Sequence, residues 1–167
     1  MKLNTNKIYL IIGSIFVIFL IFFGFLLAHV NRYNQELETY KASILQIDEV
    51  ESILDFQIFH GLDTYVVAKV NLIDNQTFYY FIKDQVVAHY VLTSDLLTEN
   101  DVLLIAKNQW SETINDFYLS DATKNYTIKL GVLEQQVIYE VSVTFENETH
   151  FIVIDAVEGA IILNFSI

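Results

Sequence analysis

The chain has 167 residues, no cysteine, no proline, and 21 acidic residues against nine Lys plus Arg. Absence of cysteine excludes a disulfide framework, a thiolate metal site, a cysteine nucleophile and a lipid-modified cysteine anchor. The formal charge of −12 disfavours nucleic acid and anionic lipid head groups as partners of the soluble part.

Ile8 to Ala28 is an uncharged apolar run. At about 1.5 Å per helical residue it matches the roughly 30 Å of a bilayer's hydrocarbon core. A cleaved signal peptide would have a shorter apolar region and small residues at its end. Here the end reads Phe25-Leu26-Leu27-Ala28-His29, so an uncleaved anchor is expected. Lys2 and Lys7 precede the run, and His29 and Arg32 follow it, with Glu36 and Glu38 close behind. The positive-inside rule then puts residues 1–7 in the cytoplasm and everything from 29 onward outside. That outer part holds all 21 acids and seven of the bases, a formal charge near −14. A basic partner surface or plain solubility fits this charge.

Val30, Tyr33, Leu37, Tyr40, Ile44 and Ile47 recur at spacings of three and four, which predicts a helix over Val30–Ile47. No Gly or Pro separates it from the apolar run, so one helix is expected to continue through both. Its stripe is either a dimer seam or, as is usual for so short a stripe, a face packed on the chain's own sheet.

Four strands follow by pattern: Val50 to Phe59, Thr64 to Leu72, Thr77 to Ile82 and Val86 to Leu92. Val66, Ala68, Val70 and Leu72 share one face of the second. His60-Gly61, Ile73-Asp74-Asn75-Gln76 and Lys83-Asp84 read as turns. The pattern then restarts. Thr98 is a candidate N-cap with Asp101 at N3, and Leu97 and Val102 form a staple. Val102, Ile105, Ala106, Gln109 and Trp110 would make the inner face of this helix. Strands are expected at Asp116 to Ser120, Tyr126 to Leu133, the alternating Val137-Tyr139-Val141-Val143-Phe145, Phe151 to Asp155, and Ile161 to Ile167. Glu146-Asn147-Glu148-Thr149 and Ala156 to Gly159 separate the last three. Gly159 is placed where a positive φ is needed.

Asp74-Asn75-Gln76-Thr77 and Glu146-Asn147-Glu148-Thr149 are similar turns 72 residues apart. With that offset Val67 falls on Tyr139, Tyr79 on Phe151 and Phe81 on Val153. The fold class expected is α+β: a membrane helix (8–28), a first extracytoplasmic domain (29–95) and a second (96–167), each a helix packed on an antiparallel meander. A single larger sheet is the alternative.

No catalytic constellation stands out. His29, His60, His89 and His150 are scattered without zinc-ligand spacing. Asp95, Glu99 and Asp101 cluster at a helix start, where they suit its dipole. No phosphate loop or calcium loop occurs. No catalytic, cofactor-binding or metal-binding residue is therefore assigned, and no enzyme activity is expected. Asn-x-Ser/Thr sequons begin at Asn75, Asn125, Asn147 and Asn164; Asn75 and Asn147 are better explained as turn residues. Tyr65, Tyr79, Phe81 and Tyr90 exceed what one sheet face buries easily, and some of them are expected at a partner-binding patch. A free sheet edge could also take an extended peptide.

The segment Val137-Ile-Tyr-Glu-Val-Ser-Val-Thr-Phe145, then Phe151-Ile-Val-Ile-Asp155-Ala156, Gly159 and Ile161-Ile162-Leu163, is similar to the ending of a PepSY domain. The helix from Thr98 to Trp110 resembles that domain's opening. With the membrane helix, Ile47-Asp48-Glu49-Val50-Glu51, Tyr65-Val66-Val67-Ala68 and Phe78-Tyr79-Tyr80, nearly the full length resembles the TseB-like (YpmB-type) cell-wall elongation regulators of Gram-positive bacteria. Departures are the very acidic surface and the lack of a Lys-rich first domain. The resemblance implies two cystatin-like domains outside the membrane and a regulator that binds a membrane-bound penicillin-binding protein. It carries no catalytic signature; Asp155 and Gly159 match its pattern as turn-forming residues. An extracytoplasmic peptide-binding or peptidase-inhibitory module is the competing expectation.

Overall fold

The computed structural model describes residues 5–113, 126–145 and 147–167, with side chains from residue 14 onward except at 33 and 113. The expected strand Asp116 to Ser120, Asn125 and Glu146 lie outside the described residues. The chain separates into two compact units, Met1–Ile44 and Leu45–Ile167.

The first unit is helical. Helix α1 runs unbroken over Thr5–Leu45, about 60 Å at the α-helical rise. It passes without interruption from the apolar run into the stripe beyond Val30, as the lack of a breaker predicts, and stops at Leu45, two residues short of the expected end. Within it, Ser14–Leu45 is long and apolar enough to cross a membrane, with mean hydropathy 2.3 over its apolar window and none of that window buried in protein. Ile15 to Phe23 and Phe25 to Leu27 are large apolar side chains, all exposed. A stripe this wide and unpartnered suits lipid, not water. Phe19 and Phe23, one helical turn apart, stack with ring centroids 6.1 Å apart.

The second unit is α+β. Strands β1 (Val50–His60), β2 (Thr64–Leu72), β3 (Thr77–Lys83) and β4 (Val86–Leu92) form one antiparallel meander in sequential order. A 3-10 turn at Thr93–Asp95 leads to helix α2 (Glu99–Thr113). Strands β5 (Tyr126–Leu133), β6 (Gln136–Phe145), β7 (Glu148–Asp155) and β8 (Ile161–Ser166) form a second meander.

The turns show why each strand stops. Asn75 (φ 63°) and Asn147 (φ 70°) both adopt the left-handed conformation that asparagine tolerates. The Gln76 amide donates to Asp74 Oδ1 at 3.0 Å, closing an Asx turn. Asp84-Gln85 and Glu134-Gln135 are two-residue hairpin loops with both φ values positive, the primed turn that matches strand twist. Neither contains glycine, which is why the second has no clear turn signature in the sequence.

Helix α2 begins as its cap predicts. The Asp101 amide donates to Thr98 Oγ1 at 3.2 Å, and Thr98 Oγ1 donates to Asp101 Oδ2 at 2.6 Å. Val102, Ala106 and Trp110 are fully buried, and Ile105 packs beside them. One core collects this helix face, Leu130, Val132, Tyr139, Val141, Ile152 and Ile154 from the second sheet, and Phe59, Tyr65, Val67 and Phe81 from the first.

Three expectations need correction. The 72-residue offset aligns strands but not pairing: Val67 pairs with Phe81, whereas Tyr139 pairs with Ile154, one residue past Val153. The β6–β7 connection is shorter than its counterpart, so β7 starts at Glu148, not at Phe151. Strand β6 is not cleanly two-sided either; Ile138 is as buried as Val141 and Val143.

Candidate functional site

The turns at one end of the second unit enclose a groove of ≈ 460 Å3, lined by Leu62, Asp63, Tyr65, Lys83, His89, Val132, Glu134 and Gln135. The β1–β2 turn supplies Asp63, the end of β3 supplies Lys83, and the β5–β6 loop supplies Glu134. Lys83 Nζ lies 2.9 Å from Asp63 Oδ2 and 6.0 Å from the centre of the Tyr65 ring. The hydrogen bond to Asp63 holds the Lys83 ammonium above its ordinary pKa, with partial desolvation opposing and the Asp63 and Asp84 carboxylates adding to it. His89 sits with its ring centre 6.4 Å from that of Tyr65. The groove thus offers one cation, two carboxylates, an imidazole and an aromatic face. Such a set suits a polar chain segment held by ion pairs and hydrogen bonds.

The histidines are not brought together. His60 Nδ1 lies 3.2 Å from Thr64 Oγ1, His89 faces Tyr65, His150 Nε2 lies 3.9 Å from Glu148 Oε2, and His29 is on α1. Among the described residues, no group of three or more His, Asp or Glu is placed to hold a metal ion. Asp101 is engaged by Thr98 and Asp95 by Ser94 Oγ at 3.4 Å, so the acidic cluster at the helix start serves local structure.

The aromatic patch is corrected by burial. Tyr65 and Phe81 are in the core and Tyr79 packs against it; only Tyr90, 70 % exposed, is left at the surface. Tyr90 stands edge-on to Phe78 and Tyr80, at 6.2 and 6.3 Å. Tyr65, Tyr79 and Phe81 share the face of the first sheet that meets the core, whereas Tyr90 pairs with Tyr80 on the other face.

Asp155 is the one buried charged side chain of the described residues. Burial pushes its carboxyl up, but the amides of Glu158 and Val157 and the Gln136 side chain together hold it below the ordinary carboxylate range. The two amide bonds measure 2.6 and 2.7 Å. Its own amide donates to the Ala160 carbonyl at 2.8 Å and its carbonyl accepts from Gly159 at 3.1 Å. Gly159 has φ 75°, so both residues form the turn, as expected.

The groove and the Lys83–Asp63 pair were not foreseen, because their residues come from three turns distant in sequence. Charge at turn ends was the available signal, and it is too common to single out a site.

No protein-family model matches the chain, and no curated protein matches it. Among solved structures, the YpmB protein from Bacillus subtilis superposes with TM-score 0.60 at 16 % identity, over 78 % of this chain and 96 % of that one. The fold is YpmB-like. A candidate lipoprotein from Clostridium difficile 630 aligns with TM-score 0.36 at 13 % identity, over 83 % of this chain and 92 % of that one. At such identities the YpmB likeness is one of fold, carried by backbone topology and not by shared side chains.

Proposed function

We propose that this chain is a non-enzymatic, membrane-anchored regulator of cell-wall elongation that binds a membrane-bound penicillin-binding protein outside the membrane. The observation that carries this reading is the continuity of one lipid-compatible helix, Thr5–Leu45, with a YpmB-like two-sheet unit. An anchor of this kind confines the soluble unit to the membrane surface, which raises its effective concentration towards other membrane proteins. We read the N-terminus as cytoplasmic, residues 29–95 as a first cystatin-like domain and residues 96–167 as a second, PepSY-like one. Membrane lipid meets the helix through Ile8–Ala28, and the acidic soluble part favours a basic partner surface.

The test is crosslinking of the tagged full-length protein in living cells, followed by purification from detergent-solubilised membranes and mass spectrometry. A second version carries the same soluble part on an unrelated membrane helix. A penicillin-binding protein enriched with both versions supports the reading. A cell-surface protease enriched in its place moves the protein to the peptidase-inhibitory class, and no enrichment above background overturns the proposal.

A further inference from the structure

Strand β8 is an edge strand of the second sheet among the described residues, and its composition is wrong for a solvent edge. Exposed edges are ordinarily protected by charges, proline or short length. Here Ile161, Leu163 and Phe165 are 41, 47 and 45 % exposed, and the strand from Ile161 to Ser166 carries no charged residue. Phe165 stacks on Phe151 of β7 with ring centres 5.1 Å apart and planes 9° from parallel. Leu163 is paired across from Val153. Beyond a register shift at Val153–Ile154, Ile161 pairs with Ile154, so the apolar platform is formed by Leu163, Phe165 and Phe151 beside an open backbone edge.

The register shows which backbone groups are open. Thr149 and Ile167 exchange both of their amide–carbonyl bonds, at 2.9 and 3.0 Å. In an antiparallel ladder such pairs alternate with unbonded ones. Phe165 and Leu163 therefore turn their backbone groups towards Phe151 and Val153. Asn164 and Ser166 turn theirs outward, leaving two donors and two acceptors in line for another strand, and beyond Leu163 the register shift at Val153–Ile154 ends the alternation.

Charge specifies the occupant. After Lys129 the sequence has no Lys or Arg, while Glu134, Glu140, Glu146, Glu148, Asp155 and Glu158 all follow. Glu158 lies in the turn that leads into β8, and Glu148 lies beside Thr149, the partner of Ile167 at the strand's other end. An acid thus stands at each end of the platform. A second copy of this chain would bring the same acids to the same edge, so self-pairing is opposed by like charge.

The geometry points to β8 as a docking strand for an extended segment of another protein, with alternate apolar residues against Leu163 and Phe165 and basic residues at its ends. Main-chain bonds to Asn164 and Ser166 supply the addition of the strand, and the platform and flanking acids supply selectivity. This inference rests on the reading of the chain as a binding protein, not on the partner's being a wall-synthesis enzyme.

The test uses the full chain in lipid nanodiscs and a synthetic eight-residue peptide, Lys-Val-Thr-Val-Thr-Val-Thr-Lys. Its controls are the same peptide with Glu at both ends and one with Pro at the centre. Expected are saturable binding of the first peptide, at least about tenfold weaker binding of both controls, and slowed hydrogen exchange at the Asn164 and Ser166 amides. Asn164→Pro removes an outward donor without removing a ladder bond, and should abolish binding while the thermal unfolding curve stays in place. Glu148→Lys with Glu158→Lys should reverse the preference between the Lys and Glu peptides. Equal binding of the Lys and Glu peptides, protection elsewhere than on β8, or dimerisation through β8 overturns the inference. Retention of a crosslinked partner by Asn164→Pro in cells also overturns it, and leaves the proposed function standing.

Discussion

The ring of Phe59 lies directly over Gly131, so close that a Cβ on that glycine would sit 2.4 Å from ring carbons. Phe59 is near the end of β1 and Gly131 is in the middle of β5, so the contact joins the two sheets. Gln57 Nε2 donates to the carbonyl of Leu130, at 3.5 Å, beside it. Both Phe59 and Leu130 are 3 % exposed.

Gly131→Ala should therefore destabilise the second unit by about 1–3 kcal/mol through overpacking. Phe59→Ala should lose about 3–5 kcal/mol by opening a cavity. The double substitution should be less damaging than the two losses added together, because the alanine methyl then enters the space left by the ring. Urea unfolding of the detergent-solubilised chain, followed through its single tryptophan, the fully buried Trp110, measures all three.

Asp155 makes the second unit sensitive to acid. Its folded-state pKa is lowered, so its contribution is present above the unfolded value, about 3.9, and is lost as pH falls through the folded value. Asp155→Asn should lower stability at pH 7 and flatten the fall in stability below about pH 4. Thermal unfolding from pH 3 to 7 checks both; parallel curves for the two proteins would refute the assignment.

Tyr139 works in the opposite direction. Burial, then the nearby Tyr79 and Glu99, pushes its phenol up to about 12, and its hydroxyl donates to the Leu97 carbonyl at 3.0 Å. A raised pKa gives stability that is whole below the unfolded value, about 10, and is lost as pH rises towards the folded one. Tyr139→Phe should cost about 1 kcal/mol at pH 7 and lessen the loss of stability above about pH 10. Denaturant titrations at pH 7 and 10.5 distinguish these effects.

Asp84 and Gln85 hold φ values of 51° and 64°, a conformation that non-glycine residues adopt at a cost of about 1 kcal/mol each. Replacing them with Asn-Gly, the pair preferred in this turn, should stabilise the protein by about 0.5–1 kcal/mol. An unchanged or lower midpoint of unfolding would show that the native pair is held by contacts beyond the turn.

Much of the local structure is legible in the chain. Strands Thr64–Leu72, Val86–Leu92 and Tyr126–Leu133 fall at their predicted bounds, because apolar runs bounded by turn residues have few other ways to satisfy their backbone. Thr98 and Asp101 identify the start of α2 for the same local reason. The groove at Lys83, Asp63 and Glu134 was not legible, since its charges come from turns separated by up to 71 residues. The open edge at β8 was half legible: Ile161 to Ile167 reads as a strand, but exposure depends on what lies beside it.

What the sequence by itself determined was everything set by short-range chemistry: an uncharged apolar helix, the strand periods, and turns at Asn75, Asn147 and Gly159 that only certain residues can make. The tertiary structure alone decided which aromatics are buried, the one-residue difference in register between the two meanders, and the seating of Phe59 on Gly131. Those outcomes depend on shape and volume between residues dozens of positions apart. Pattern along the chain carries direction and period, but not the partner that fills the space opposite.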